Sequence, residues 1–251
     1  MIKVYFLKQF KGIEKILKKK DALKKEDYHN LRIRIKRLNA LFEVMDFSIK
    51  KFNKQENAKI FSKLFKAAGE IRDNFIILTI IKKYGIILPP AYILQIKKET
   101  KESEKKFRLL CDEDNLAKIK KLKKELLNEL KEVRKKDFKA FLNIKGANIS
   151  AETALYTKKE KKIHGFRIEL KKYYNLLKMY QPKGKFPKLD ALEEIIGHWH
   201  DTMITISYLK QIIQGGKLKG KKLSTLKIII SRIKKEKSIY LKRAQLLAKS
   251  L

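Results

Sequence analysis

From about residue 3 to residue 250, apolar side chains recur at the three-to-four-residue spacing of a helix, and no stretch alternates convincingly with period two. A chain patterned in this way buries its apolar side chains by forming helices and packing them on one another. Punctuation agrees. The only prolines are Pro89, Pro90, Pro182 and Pro187, and the ten glycines fall mainly where helices can stop. The pattern predicts helices over about 3–20, 25–48, 54–84, 91–111, 114–145, 148–180, 187–213 and 221–250. Connections are expected at Gly85–Pro90, Gln181–Pro187 and Gly215–Gly220, and the fold class expected is all-α.

Charge constrains the partner. Lys and Arg number 63 against 27 Asp and Glu, a formal net charge of +36, and self-repulsion of that size disfavours compaction unless salt or a polyanion offsets it. Hydrophobic residues at 44% exceed what a disordered basic tail carries, so the charge decorates a folded protein. The single cysteine, Cys111, has no internal disulfide partner, and the apolar run from Phe75 to Ile81 is bounded at once by Arg72, Asp73, Lys82 and Lys83. It is too short to span a bilayer, and a reduced, cytoplasmic protein is expected. The Lys-rich stretches Lys118–Lys124 and Lys217–Lys222 read first as solvated helix faces and second as faces that can lie on anionic lipid.

An internal repeat carries most of the functional information. HNLRIRIKRLNALFEVM, from His29, aligns without a gap with HGFRIELKKYYNLLKMY, from His164. Each copy places His at the start, Arg three residues on and two basic residues after a further turn: His29, Arg32, Lys36 and Arg37 against His164, Arg167, Lys171 and Lys172. Their shared apolar positions cluster on one side of a helix, so the basic group is expected to face away from that stripe. A second motif follows each first one, Gly69-Glu-Ile-Arg72-Asp73 and Gly197-His-Trp-His200-Asp201. These four windows hold all four histidines and five of the nine arginines, whereas elsewhere the basic residue is almost always Lys. Arginine grips oxyanions with a planar fork, so this choice points to fixed anion contacts.

At these motifs the sequence resembles the conserved histidine α-helical domain (CHAD) family, over about residues 5–245. The family signature, H-x-x-R-x-x-x-(K/R)-(K/R) followed by G-x-x-(R/N/H)-D, is legible once per half. The resemblance implies two four-helix bundles, here over 1–112 and 113–251, related by a pseudo-twofold axis with a basic central groove. It also implies binding of inorganic polyphosphate and association with polyphosphate granules. Carried over position by position, the polyphosphate-binding residues are His29, Arg32, Lys36, Arg37, Arg72, His164, Arg167, Lys171, Lys172 and His200. Arg32, Arg37 and Arg167 are the first choices for direct contact.

Asp73 and Asp201 would repel a polyanion, so they are expected to orient neighbouring basic side chains or to form internal salt bridges. No nucleophile context, phosphate-cradling glycine loop or acidic metal cluster accompanies these residues, so no catalysis, cofactor or metal is expected. His198 and His200 stand two apart, which on a helix points them about 160° from each other. Nucleic acid is the rival partner and rests on charge alone. The aromatic residues that could stack on bases, Trp199, Tyr173, Tyr174, Phe61 and Phe65, read as core.

Overall fold

The computed structural model describes residues 2–19, 23–156, 160–215 and 218–248, and the side chains of these residues other than 152–156, 160 and 161. Among them the chain forms α-helices and no strand: α1 (Ile2–Leu17), α2 (Lys25–Ser48), α3 (Lys54–Lys83), α4 (Pro90–Leu109), α5 (Glu113–Glu129), α6 (Lys135–Tyr156), α7 (Glu160–Tyr180), α8 (Pro187–Gln214) and α9 (Gly220–Ala248), with a 3₁₀ turn at Leu130–Glu132. None of the described helices is long and apolar enough to cross a membrane.

Local chemistry sets the helix ends. Gly85, at φ 58°, closes α3, with the Ile86 N–H donating to Ile81 O at 2.9 Å and the Gly85 N–H to Lys82 O at 3.2 Å, a Schellman arrangement that glycine adopts without strain. Pro90 and Pro187 open α4 and α8, where a missing N–H costs nothing. Asp112 caps α5 by accepting the Asn115 N–H at 2.6 Å.

The helix pattern expected between residues 114 and 180 needs correction. The break placed near residues 145–148 falls inside α6, and a break that carries no Gly or Pro occurs at Val133–Arg134 instead. Val133 turns extended (ψ 103°), with Leu130, Val133 and Phe138 all buried around the bend. The Arg134 fork donates to both Asp137 carboxylate oxygens, at 2.7 and 3.0 Å, across the first turn of α6. Gly146 is not punctuation: an added Cβ would stand 2.9 Å from the Tyr173 hydroxyl, so glycine here admits a side chain from α7.

Two compact units emerge. Unit 1 comprises Met1–Arg72, Glu99–Ile149 and Glu169–Lys185, and unit 2 comprises Asp73–Lys98, Ser150–Ile168 and Phe186–Leu251. They do not coincide with the contiguous stretches 1–112 and 113–251, because α3, α4, α6 and α7 each give one part to unit 1 and the rest to unit 2. The core of unit 1 is aromatic: the Phe10 ring meets Phe6 at 4.6 Å and Phe61 at 5.6 Å, and Tyr28 meets Phe107 edge-on at 5.2 Å. Unit 2 is built on aliphatic side chains, among them Ile77, Ile96, Leu209, Leu226 and Ile233.

Candidate functional site

Residues 29, 32 and 36 share one face of α2, and residues 65, 69 and 72 share one face of α3, by the helical period. In unit 1 these faces meet. Arg32 Nη1 donates to the Phe65 carbonyl at 2.6 Å, and its guanidinium carbon stands 3.8 Å above the centroid of the Phe65 ring. Lys36 Nζ lies 5.8 Å from the same centroid, so one half-buried ring gathers two cations. Gly69 makes this possible, since a Cβ there would collide with Arg32 Nη1.

His29 is exposed as a residue, yet its pKa lies below the ordinary value. Partial loss of water around the imidazole is the largest cause, followed by the positive charges of Arg72, Lys36, Lys171 and Arg32. Three helices therefore bring five predicted site residues together: His29, Arg32 and Lys36 from α2, Arg72 from α3 and Lys171 from α7.

Arg37 and Lys172 are placed elsewhere. The Arg37 charge acts on Tyr5 of α1, whose pKa burial pushes up to about 12, and on Arg34, whose Nη1 donates to Lys8 O at 3.0 Å. Lys172 belongs to an ion network around Glu43, which is 8% exposed. Glu43 Oε1 receives Lys54 and Lys172, both at 2.8 Å; Lys145 stands 3.5 Å from Oε2; and Glu169 receives Lys172 at 2.6 Å and Lys145 at 2.8 Å. Burial works against the Glu43 charge, but hydrogen bonds from Lys172 and Lys54 and their charges hold its pKa below the ordinary value. Lys172 is thus committed to carboxylates of its own unit.

Unit 2 assembles a smaller group. The His164 and His200 rings stack with centroids 5.4 Å apart, and Arg167, 9% exposed, lies close enough for its charge to reach His164. Loss of water, then His200, then Arg167 lower the His164 pKa. Asp201 Oδ1 is 3.8 Å from His200 Nδ1, beyond hydrogen-bond distance. Asp73 is half-buried on α3. His198 points away from His200 and stacks on Tyr240 at 5.4 Å. Nothing lies within 4 Å of a Cβ added at Gly197, so the second glycine does not play the part of the first.

The sequence reading missed the role of Phe65, which it assigned to a core. Its signal was the placement of Phe65, Gly69 and Arg72 on one face of α3. It also missed Glu43, whose burial opposite three lysines has no local signature. Among the described residues, no group of three or more His, Cys, Asp and Glu is placed to hold a metal ion. No protein-family model matches the chain, and no curated protein matches it either.

Proposed function

We propose that the chain binds inorganic polyphosphate without catalysing a reaction on it, through the face of unit 1 that carries His29, Arg32, Lys36, Arg72 and Lys171. The observation that supports this reading is that four cations drawn from three helices act on His29, whose pKa is lowered first by loss of water and then by their charges. Such a concentration of positive charge is unfavourable in the empty protein and is relieved by a ligand with one negative charge per phosphate. His164, Arg167 and His200 form a second subset for the same ligand, while Lys172 is left to the Glu43 network.

Polyphosphate is preferred over nucleic acid because two of the aromatic residues that could stack on bases, Phe65 and Trp199, do not offer an open face for it. Arg32 covers a face of Phe65, and Trp199 is 2% exposed. The pseudo-twofold pairing of two four-helix bundles, a cytoplasmic location and association with polyphosphate granules belong to the same proposal, through the resemblance to the CHAD family.

The test is competition at physiological salt between long-chain polyphosphate and single- and double-stranded nucleic acid, matched in phosphate. Wild type and an Arg72→Gln/Lys171→Gln variant are compared. The expected result is preference for polyphosphate and at least a tenfold loss of affinity in the variant. Equal affinity for every polyanion, unchanged in the variant, would show that net charge alone does the binding.

A further inference from the structure

The outer face of α9 carries a pattern that neither its packing nor its solubility requires. Its buried residues, Leu226, Ile230, Ile233, Ala244 and Ala248, all lie on one side. Diametrically opposite stand Ile228, Ile239 and Leu246, which are 56%, 50% and 69% exposed. At 100° per residue these three fall within about 20° of one another, along roughly 27 Å of helix. Within about 60° on either side of that line lie Lys221, Arg232, Lys235, Lys242 and Arg243, all exposed, together with Ser and Thr and no acidic residue. The only carboxylate of α9, Glu236, is engaged off this line, where it accepts the Tyr84 hydroxyl at 2.5 Å and stands 3.6 Å from Lys83.

A single exposed aliphatic is ordinary on a protein surface; what marks this face is that three fall on one line opposite the core, flanked by cations and by no carboxylate. A partner protein groove reads a continuous apolar stripe at three-to-four-residue spacing, whereas these residues are 11 and 7 positions apart with cations between them. A nucleic-acid backbone uses the cations and has no place for isoleucine or leucine. An anionic bilayer uses both, with lysine and arginine at the headgroup phosphates and isolated aliphatics reaching the acyl boundary between them. We propose that α9 docks lengthwise on an anionic lipid surface, with Ile228, Ile239 and Leu246 inserted and the flanking cations paired to headgroups.

The full chain would be sedimented with vesicles of phosphatidylcholine alone and of equal parts phosphatidylcholine and phosphatidylglycerol. Wild type is expected to bind only the anionic vesicles. Ile228→Ser/Ile239→Ser/Leu246→Ser, which leaves every charge in place, is expected to lose at least about tenfold in vesicle affinity while keeping its polyphosphate affinity within about twofold. Arg72→Gln/Lys171→Gln should show the reverse, so failure of the polyphosphate reading and failure of the lipid reading give different results. The replaced side chains are exposed, so the thermal midpoint should hold. If the triple variant is misfolded, the single Ile239→Gln carries the test, with a several-fold loss expected. Wild-type binding to neither vesicle overturns the proposal, as does unchanged binding by the folded variants.

Discussion

Arg32 lies in the space that a side chain at position 69 would fill, its Nη1 held by the Phe65 carbonyl at 2.6 Å and its guanidinium over the Phe65 ring. The Gly-x-x-Arg-Asp motif of α3 and the His-x-x-Arg motif of α2 are therefore two halves of one packing arrangement. Unequal effects of two glycine replacements follow. Gly197→Ala meets nothing and should stabilise the chain by up to about 1 kcal/mol through helix propensity. Gly69→Ala displaces Arg32, and the lost hydrogen bond, worth about 1 kcal/mol, should cancel that gain. In an Arg32→Ala background Gly69→Ala should stabilise again. Urea midpoints of the four variants would show this non-additivity, and purely additive effects would remove the proposed coupling.

Phe65 carries no charge, so its contribution separates geometry from bulk electrostatics. Phe65→Leu keeps a hydrophobic side chain but removes the ring beneath Arg32 and Lys36. A cation–π contact of about 1 kcal/mol predicts roughly a fivefold loss of polyphosphate affinity, with the salt slope unchanged. A titration series in increasing salt measures both quantities. Unchanged affinity would mean that ordering of the two cations is irrelevant to binding.

His29 and His164 both have pKa values lowered below 6.5, first by loss of water and then by neighbouring positive charge. A bound polyanion offsets those charges and raises both values, so the complex takes up protons and affinity should rise as pH falls from neutral towards 5.5. In the free protein the sign is opposite. The unfolded chain binds these protons more readily, so the stability contribution is complete above the unfolded pKa and is lost as pH falls below it. Calorimetry in two buffers of different ionisation enthalpy would measure the proton uptake. His29→Gln should reduce it, and no uptake in wild type would exclude the histidines from the site.

Glu43 predicts an acid sensitivity unrelated to the ligand. Its lowered carboxylate pKa means that its stabilising contribution is present above the unfolded value near 4.5 and is lost as pH falls through the lower folded one. Glu43→Gln removes the carboxylate that Lys54 donates to and leaves Lys145 and Lys172 with Glu169. The cost at pH 7 should be about 2 kcal/mol, less than for a fully buried pair because Lys54 reaches solvent. Denaturant unfolding at pH 7 and pH 3 should show the difference between variant and wild type shrinking at the lower pH. A difference independent of pH would assign the effect to packing instead.

The all-helical class and the course of α1 to α4, α8 and α9 were legible in apolar periodicity, because burying one stripe per helix is a local requirement that leaves a mark every three or four residues. The bend at Val133–Arg134 was not. It is made by an extended valine tucked between Leu130 and Phe138 and by an arginine fork on Asp137, and neither uses a residue type that signals a break by itself. Gly146 misled for the converse reason, since its purpose is to admit Tyr173 from another helix.

By itself the sequence determined the helices, the excess of positive charge and the duplicated pairing of His and Arg, all properties of spacing and composition. Only the tertiary structure decided which basic side chains act together. It brought the charges of Arg72 and Lys171 to bear on His29 and that of Arg37 on Tyr5, committed Lys172 to Glu43 and assigned Gly69 to Arg32 but nothing to Gly197. Those choices depend on distances between helices that are remote along the chain. Electrostatic interaction falls with distance in space, to which a motif repeated at equal sequence offsets is blind.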